Sequence, residues 1–164
     1  MKLQGEKAYD SGHWFTLASA LVSTFGKSQT YCDIGCGAGF LVSHLKNLGV
    51  EVVGIDTIGR RRSKILRIST DKQYDIVCCW NELSKLYEDE IPRALKLLYD
   101  ITYYVLVVSF TISFEGAEVN DRHTIKSLNW WRDRLSEAGF KIEETITRRW
   151  VLDYKWDNIF VCIK

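Results

Sequence analysis

Apolar residues recur along this chain in two alternating rhythms. Between His13 and Phe25, Trp14, Leu17, Leu21 and Phe25 lie three or four apart, the spacing of one helix face, and Gly26 ends the run. Thr30 to Ile34 is a short apolar run of strand type. Helical spacing returns from Gly39 to Leu48 through Leu41, Leu45 and Leu48, and Glu51 to Ile55 is again a strand. Lys64 to Ser69 and Tyr74 to Cys79 read as a third and a fourth strand. Ile91 to Ile101 predicts a helix with Pro92 in its first turn, where its missing N–H leaves no bond unmade, and Ile91, Ala94, Leu95, Leu98 and Ile101 on one stripe. Thr102 to Phe110 is a β-rich fifth strand. Thr124 to Ala138 predicts a helix with Ile125, Leu128, Trp131, Leu135 and Ala138 facing inward, stopped by Gly139. Phe140 to Thr147 and Asn158 to Ile163 then read as two closing strands.

Strands separated by helices predict an α/β architecture: a doubly wound, mostly parallel sheet of seven strands with helices on both faces. Ligands of such sheets lie beyond the carboxyl ends of the strands, where the connections reverse direction. Residues 35–39, Asp56 and the residues after Cys79 all fall at such ends.

The first of these ends carries the most chemistry. Asp33, Ile34, Gly35, Cys36, Gly37, Ala38 and Gly39 join a predicted strand to a predicted helix, and the carboxylate of Asp56 follows the next apolar run. Alternate glycines let the backbone turn sharply and let a ligand lie against bare main chain. A carboxylate about 20 residues further on is placed to accept both hydroxyls of a ribose. A glycine turn alone also fits a tight connection with no ligand. The dinucleotide fingerprint G-x-G-x-x-G is not met, because position 40 is Phe40.

With its G-x-G-x-G spacing and Asp33 two residues ahead, the segment resembles the first motif of the class I S-adenosylmethionine-dependent methyltransferases. A pyrophosphate favours a basic or neutral loop, whereas the ammonium and sulfonium of that cofactor tolerate a nearby carboxylate. The resemblance covers nearly the whole chain, since the SEAGF ending of the last helix, Ser136 to Phe140, and the strands after it look like the C-terminal half of that fold. It implies a Rossmann-like sheet whose seventh strand runs antiparallel between the fifth and sixth. Position by position, it implies that Asp33, Gly35, Cys36, Gly37 and Gly39 cradle the methionine part of S-adenosylmethionine. Asp56 would hold the ribose, Thr57 or Ile58 would lie against the adenine, and Asn81 would close the pocket near the methionine end.

Two departures from the family pattern stand out. The stretch Asn81 to Leu86, NELSKL, aligns with a family segment that often reads EVLEHL, so its usual glutamate and histidine are Ser84 and Lys85. That histidine is a general base in some relatives. Lys85 is then either a catalytic base, which requires burial or cationic neighbours to shed its proton, or a solvated lysine at a helix start. The second departure is length: only seventeen residues separate Asp56 from Tyr74. Full-length relatives place a helix, a strand, an acid and a further helix there, so this region is shortened. Asp71 is either the acid that reads the adenine amino group or a turn residue. A trimmed wall exposes the adenine edge, weakens the grip on the cofactor, and leaves open a chain that binds the cofactor without transferring its methyl group.

Composition narrows the remaining classes. A length of 164 residues, 46% apolar and 26% charged, fits one globular domain spanning residues 1–164. No apolar run reaches membrane-spanning length and the segment MKLQGEKAYD has no signal-peptide core, so a cytoplasmic protein is expected. A net charge of +1 exerts no global pull on nucleic acid. Cys32, Cys36, Cys78, Cys79 and Cys162 form no CxxC pair and have no histidine pair nearby, which favours reduced buried thiols and no metal site.

The acceptor is less legible. Arg60, Arg61, Arg62 and Lys64 form a basic run that is either a phosphate track or a solvated face, and no aromatic interleaves it. NPPY-type and PC-type nucleic-acid methyltransferase motifs are absent. Two long polar loops are the candidate acceptor surfaces, one from Thr111 to Arg122 with Phe114, Glu115, Glu118 and Asp121, the other holding Trp150, Asp153, Tyr154 and Trp156. Trp130, off the stripe of Trp131, faces either a ligand or another part of the chain. His13 and His123 are candidate catalytic residues or simple helix-start residues. The expected activity is methyl transfer to a small-molecule or sugar-like acceptor. The alternatives are an RNA methyltransferase using the basic run and a non-catalytic S-adenosylmethionine-binding accessory protein; the oligomeric state is open.

Overall fold

A computed structural model describes residues 11–56, 65–69, 71–112 and 124–164. In chain order the elements are α1 (Ser11–Phe25), β1 (Thr30–Ile34), α2 (Phe40–Asn47), β2 (Glu51–Ile55), β3 (Tyr74–Trp80), α3 (Ile91–Ile101), β4 (Thr102–Ser109), α4 (Leu128–Glu137), β5 (Lys141–Ile142), α5 (Glu144–Tyr154) and β6 (Ile159–Ile163). Short 3-10 turns cover Ile65–Arg67, Leu83–Lys85 and Glu88–Glu90.

The strands form one sheet in the order β2-β1-β3-β4-β6-β5. Neighbours from β2 to β4 are parallel, and β6 runs antiparallel to both β4 and β5, between which it sits. This placement matches what the family resemblance implied. Strand side chains alternate between two cores, as a period of two requires. Ile34, Val77, Cys79, Leu106, Val108 and Phe160 face α3 and α4. Tyr31, Ile76, Cys78, Val107 and Val161 face α1 and α2, and Trp150 of α5 joins the same cluster. Both faces are covered, which is why the central strands are almost continuously apolar.

The structure corrects four expectations. Six strands, not seven, occur among the described residues. The strand expected over Lys64 to Ser69 is instead a 3-10 turn at Ile65–Arg67. Its apolar residue Ile65 is fully buried beneath α3, and a tether this short leaves β2 the outermost strand described on its side of the sheet. The strand expected from Phe140 to Thr147 stops at Ile142, and residues read as a loop belong to α5. The deciding signal is Glu143, whose carboxylate accepts from Ile146 N at 2.6 Å as an N-cap, with Thr147 and Trp150 then burying one helical face. Finally, α4 begins at Leu128, later than Thr124. Thr124 is held extended by donating its N–H to Ser84 O and its hydroxyl to Leu86 O, and Ser127 caps the helix by accepting from Trp130 N.

Candidate active site

The chain leaves β1 through a turn that only glycines form without strain. Gly35, Gly37 and Gly39 have φ of 84°, 51° and 77°, in the left-handed region. Gly35 N and Cys36 N both donate to Ile55 O, at 2.8 and 3.4 Å, which fastens the turn to the end of β2. Gly54 in β2 matters for close approach: a Cβ there would lie 2.9 Å from both Cys36 Sγ and Val42 Cγ2. At Gly39, the residue preceding α2, a Cβ would meet open space. Asp56 follows β2 directly and is exposed.

Beneath the turn lies Asp33, only 3% exposed, paired in register with Gly54 on one side and Cys78 on the other. Beside it is an acid that the sequence reading did not single out. Glu82 is buried, its side chain closes over Gly35, and a Cβ at Gly35 would lie 2.6 Å from Glu82 Cδ. Lys85, three residues on, donates to Glu82 Oε1. The signal was present as an acid and a base three apart on a tight turn, but Glu and Lys at that spacing normally mark a solvated surface. Lys85 is therefore not a fully solvated lysine: its side chain is 27% exposed and its Nζ is held by the buried Glu82. Ser84 is fully buried and structural, its Oγ accepting from Thr111 N at 2.9 Å.

Burial, and secondarily the charge of Glu82, pushes the Asp33 carboxyl up to about 7. The sign of the consequence is fixed: between the ordinary carboxylate value near 4 and about 7, the folded protein holds a proton that the unfolded chain releases. Stability therefore falls as pH rises through that window and levels above it. Urea unfolding at pH 5 and pH 8 should show wild type losing on the order of 1 to 3 kcal/mol more than Asp33→Asn, which cannot titrate. Parallel pH curves for the two proteins would remove this role.

Asn81 begins the segment after β3 with φ of 57°, a left-handed conformation for a non-glycine residue, next to the turn. Its N–H donates to Ser109 O at 3.2 Å and Ser109 Oγ at 3.1 Å. Trp80, the last residue of β3, brings in the start of α1: the ring of His13 lies 5.4 Å from Trp80, 5.3 Å from Trp14 and 5.7 Å from Trp156. His13 thus stands on the carboxyl side of the sheet within an aromatic cluster drawn from three distant segments.

Asp33, Gly35, Cys36, Gly37, Gly39, Asp56, Asn81 and His13 are accordingly brought to one side of the sheet. Asp71 is not: it is exposed and precedes β3, at the opposite edge, where Lys72 pairs with Glu51 of β2 at 3.7 Å. Thr57, Ile58, His123, the run Arg60 to Lys64, and Phe114, Glu115, Glu118 and Asp121 lie outside the described residues. Of the aromatic residues expected in an acceptor loop, Trp150 is buried core, its indole N–H donating to Thr24 Oγ1 at 3.3 Å, and Tyr154 stacks on Trp156 at 4.6 Å. Trp130 packs edge-on against Trp131 at 4.9 Å, with the cations of Lys126 and Arg134 each 5.5 Å from its ring. The cysteines are free thiols; four are buried and Cys36 is partly exposed, and burial followed by the charges of Asp33 and Asp56 raises the Cys36 thiol. Among the described residues no group of three or more His, Cys, Asp and Glu is gathered as metal ligands would be.

A family profile described as a methyltransferase domain matches residues 8–145. No curated protein matches the sequence. Among solved structures, magnesium protoporphyrin IX methyltransferase from Synechocystis PCC 6803, with bound SAM, superposes with a TM-score of 0.68 at 19% identity, covering 94% of this chain and 79% of that one. A Burkholderia thailandensis 1,6-didemethyltoxoflavin-N1-methyltransferase, with bound 1,6-didemethyltoxoflavin and S-adenosylhomocysteine, gives 0.65 at 14% identity over 97% and 80%. Streptomyces venezuelae DesVI gives 0.69 at 11% identity over 99% of both chains. With a profile matching most of its length and a sheet of the corresponding fold, the chain belongs to the class I S-adenosylmethionine-dependent methyltransferase family.

Proposed function

We propose that the turn from Gly35 to Gly39 binds S-adenosylmethionine and that the chain transfers its methyl group to a small-molecule or sugar-like acceptor in the cytoplasm. The observation that carries this reading is the convergence of a buried acid, a left-handed glycine turn, an exposed acid after the neighbouring strand, and a strained Asn81 at adjacent strand ends. The residues fit the cofactor chemically. Asp33 supplies a buried carboxyl for cationic groups of the methionine part, bare main chain at Gly39 faces open space, and Asp56 supplies two acceptor oxygens for a ribose. Thr57 and Ile58 follow Asp56 in sequence and are assigned to the adenine side. Relatives of similar fold hold SAM in one case and a small heterocycle with S-adenosylhomocysteine in another.

When bound, the cofactor supplies an electrophilic methyl group for in-line displacement. The protein's task is then to align the acceptor and exclude water. His13, with Trp14, Trp80 and Trp156 around it, is assigned to the acceptor side, and its imidazole is the candidate to take a proton from a hydroxyl acceptor. His123 is the other candidate, by sequence position alone. No helix among the described residues is long and apolar enough to cross a membrane.

One observation favours a second reading, a cofactor-binding accessory protein without turnover: Lys85, at the position of the family's histidine, is held by Glu82. Both readings require the cofactor. At about 100-fold excess over Kd, S-adenosylhomocysteine should stabilise the fold by about 2.7 kcal/mol, or roughly 5 to 10 °C in Tm, and NAD should leave it unchanged. A shift with NAD and none with S-adenosylhomocysteine would overturn the cofactor assignment.

A further inference from the structure

We propose that the acceptor is a planar aromatic hydroxyl compound, held against the rings of His13, Trp14 and Tyr154 above a floor formed by Trp80 and Trp156. The inference rests on the cofactor reading above and narrows its acceptor to one chemical class. Three observations carry it. The first is where the rings stand. Trp80 ends β3 opposite Ser109, and Ile159, three residues past Trp156, begins β6 opposite the same Ser109. α1 closes at Phe25, just before β1 starts, so its first turn, with His13 and Trp14, lies at the carboxyl end of the sheet as well. Trp80 is also two residues from Glu82, whose side chain lies against Gly35. The rings therefore adjoin the cofactor turn.

The second observation is how the rings are exposed. Trp80 and Trp156 are 7% and 9% exposed and lie 5.8 Å apart, whereas His13, Trp14 and Tyr154 are half-buried. His13 lies 5.3, 5.4 and 5.7 Å from the indoles of Trp14, Trp80 and Trp156, and Tyr154 stacks on Trp156 at 4.6 Å. Partly open aromatic surface is thus fixed in place by a covered pair of indoles behind it. A planar aromatic guest gains edge-to-face or offset contacts there beyond the area it buries.

The third is the strength of the base that the site offers. An ordinary imidazole titrates at about 6.5 and a phenolic hydroxyl at about 10, a gap of about 3.5, whereas an alcoholic hydroxyl lies several units nearer to bulk water at about 15.7. Each unit is a factor of ten, so a phenolic proton is easier for an imidazole to take by about a thousandfold or more. His13 takes that proton while the oxygen–methyl bond forms and the methyl–sulfur bond breaks, leaving its electron pair on sulfur. A sugar-like acceptor asks far more of the same base.

Calorimetric titration of 2-naphthol and of glucose into the protein saturated with S-adenosylhomocysteine tests the site without turnover. 2-Naphthol should bind with a Kd below about 1 mM, and glucose at least about tenfold more weakly. Trp14→Leu, which removes the ring and keeps apolar bulk, should weaken 2-naphthol by about 5- to 10-fold and leave S-adenosylhomocysteine within about twofold of wild type. Tyr154→Leu makes the same comparison if that variant does not fold. With radiolabelled S-adenosylmethionine, His13→Gln should methylate 2-naphthol or catechol at least about 100-fold more slowly than wild type. Binding of neither probe, glucose bound as well as 2-naphthol, or 2-naphthol affinity unchanged in both ring variants would overturn the proposal. So would a wild type that binds 2-naphthol yet methylates neither phenol. Failure of wild type to bind S-adenosylhomocysteine would instead sink the cofactor reading, and this proposal with it.

Discussion

Gly35→Ala is expected to weaken S-adenosylhomocysteine binding by more than about 100-fold and to destabilise the fold by roughly 2 to 4 kcal/mol. Two costs coincide at this residue. Its φ of 84° is strained for any L side chain, and the new methyl group would sit 2.6 Å from Glu82 Cδ. Glu82 is buried and tied to Lys85, so it does not swing away as an exposed side chain would. The turn must move instead, pulling on the bond from Gly35 N to Ile55 O at 2.8 Å that fixes it against β2. Gly26→Ala provides the control, because Gly26 also has a positive φ, of 89°, but a Cβ there meets nothing within 4 Å. It should cost only the backbone strain, about 1 kcal/mol. Equal costs in urea unfolding for the two substitutions would show that crowding at the turn is not the cause.

Asp56→Ala should leave stability almost unchanged, because the side chain is exposed, while lowering S-adenosylhomocysteine affinity by tens to about a hundredfold. The loss corresponds to a charge-assisted pair of hydrogen bonds to the ribose, on the order of 2 to 3 kcal/mol. Calorimetry that returns the wild-type affinity would place the ribose elsewhere and leave Asp56 as a strand-end residue. Together the two substitutions separate the functions of the pocket, one acting through main-chain shape and the other through a single side chain.

The part of the site built from consecutive residues was legible in the sequence. The run from Thr30 to Asp56 contains its own strand, turn, helix and strand, and β1 and β2 fall where the apolar periodicity puts them. The helix Ile91–Ile101 was equally plain, because its apolar stripe and Pro92 agree. Tertiary context hid the rest. Ile65 and Ile68 look like strand residues until α3 is seen to cover them, and the cap at Glu143 outweighs the β-branched residues that follow it. Glu82 was missed because its side chain packs against Gly35, which lies far from it in the sequence. His13 was legible as a candidate catalytic or helix-start residue, but its aromatic surroundings were not, since Trp80 and Trp156 reach it from distant segments.

The position of β6 inside the sheet also governs when the fold can be completed during synthesis. Residues 105–109 of β4 pair with β3 on one side and with β6 on the other. Until Ile159–Ile163 emerge from the ribosome, β4 is an apolar parallel edge, open to pairing with other chains, and β5 lacks the one strand it pairs with among the described residues. Truncation before Ile159 would therefore detach two strands and convert the middle of the sheet into an aggregation-prone border.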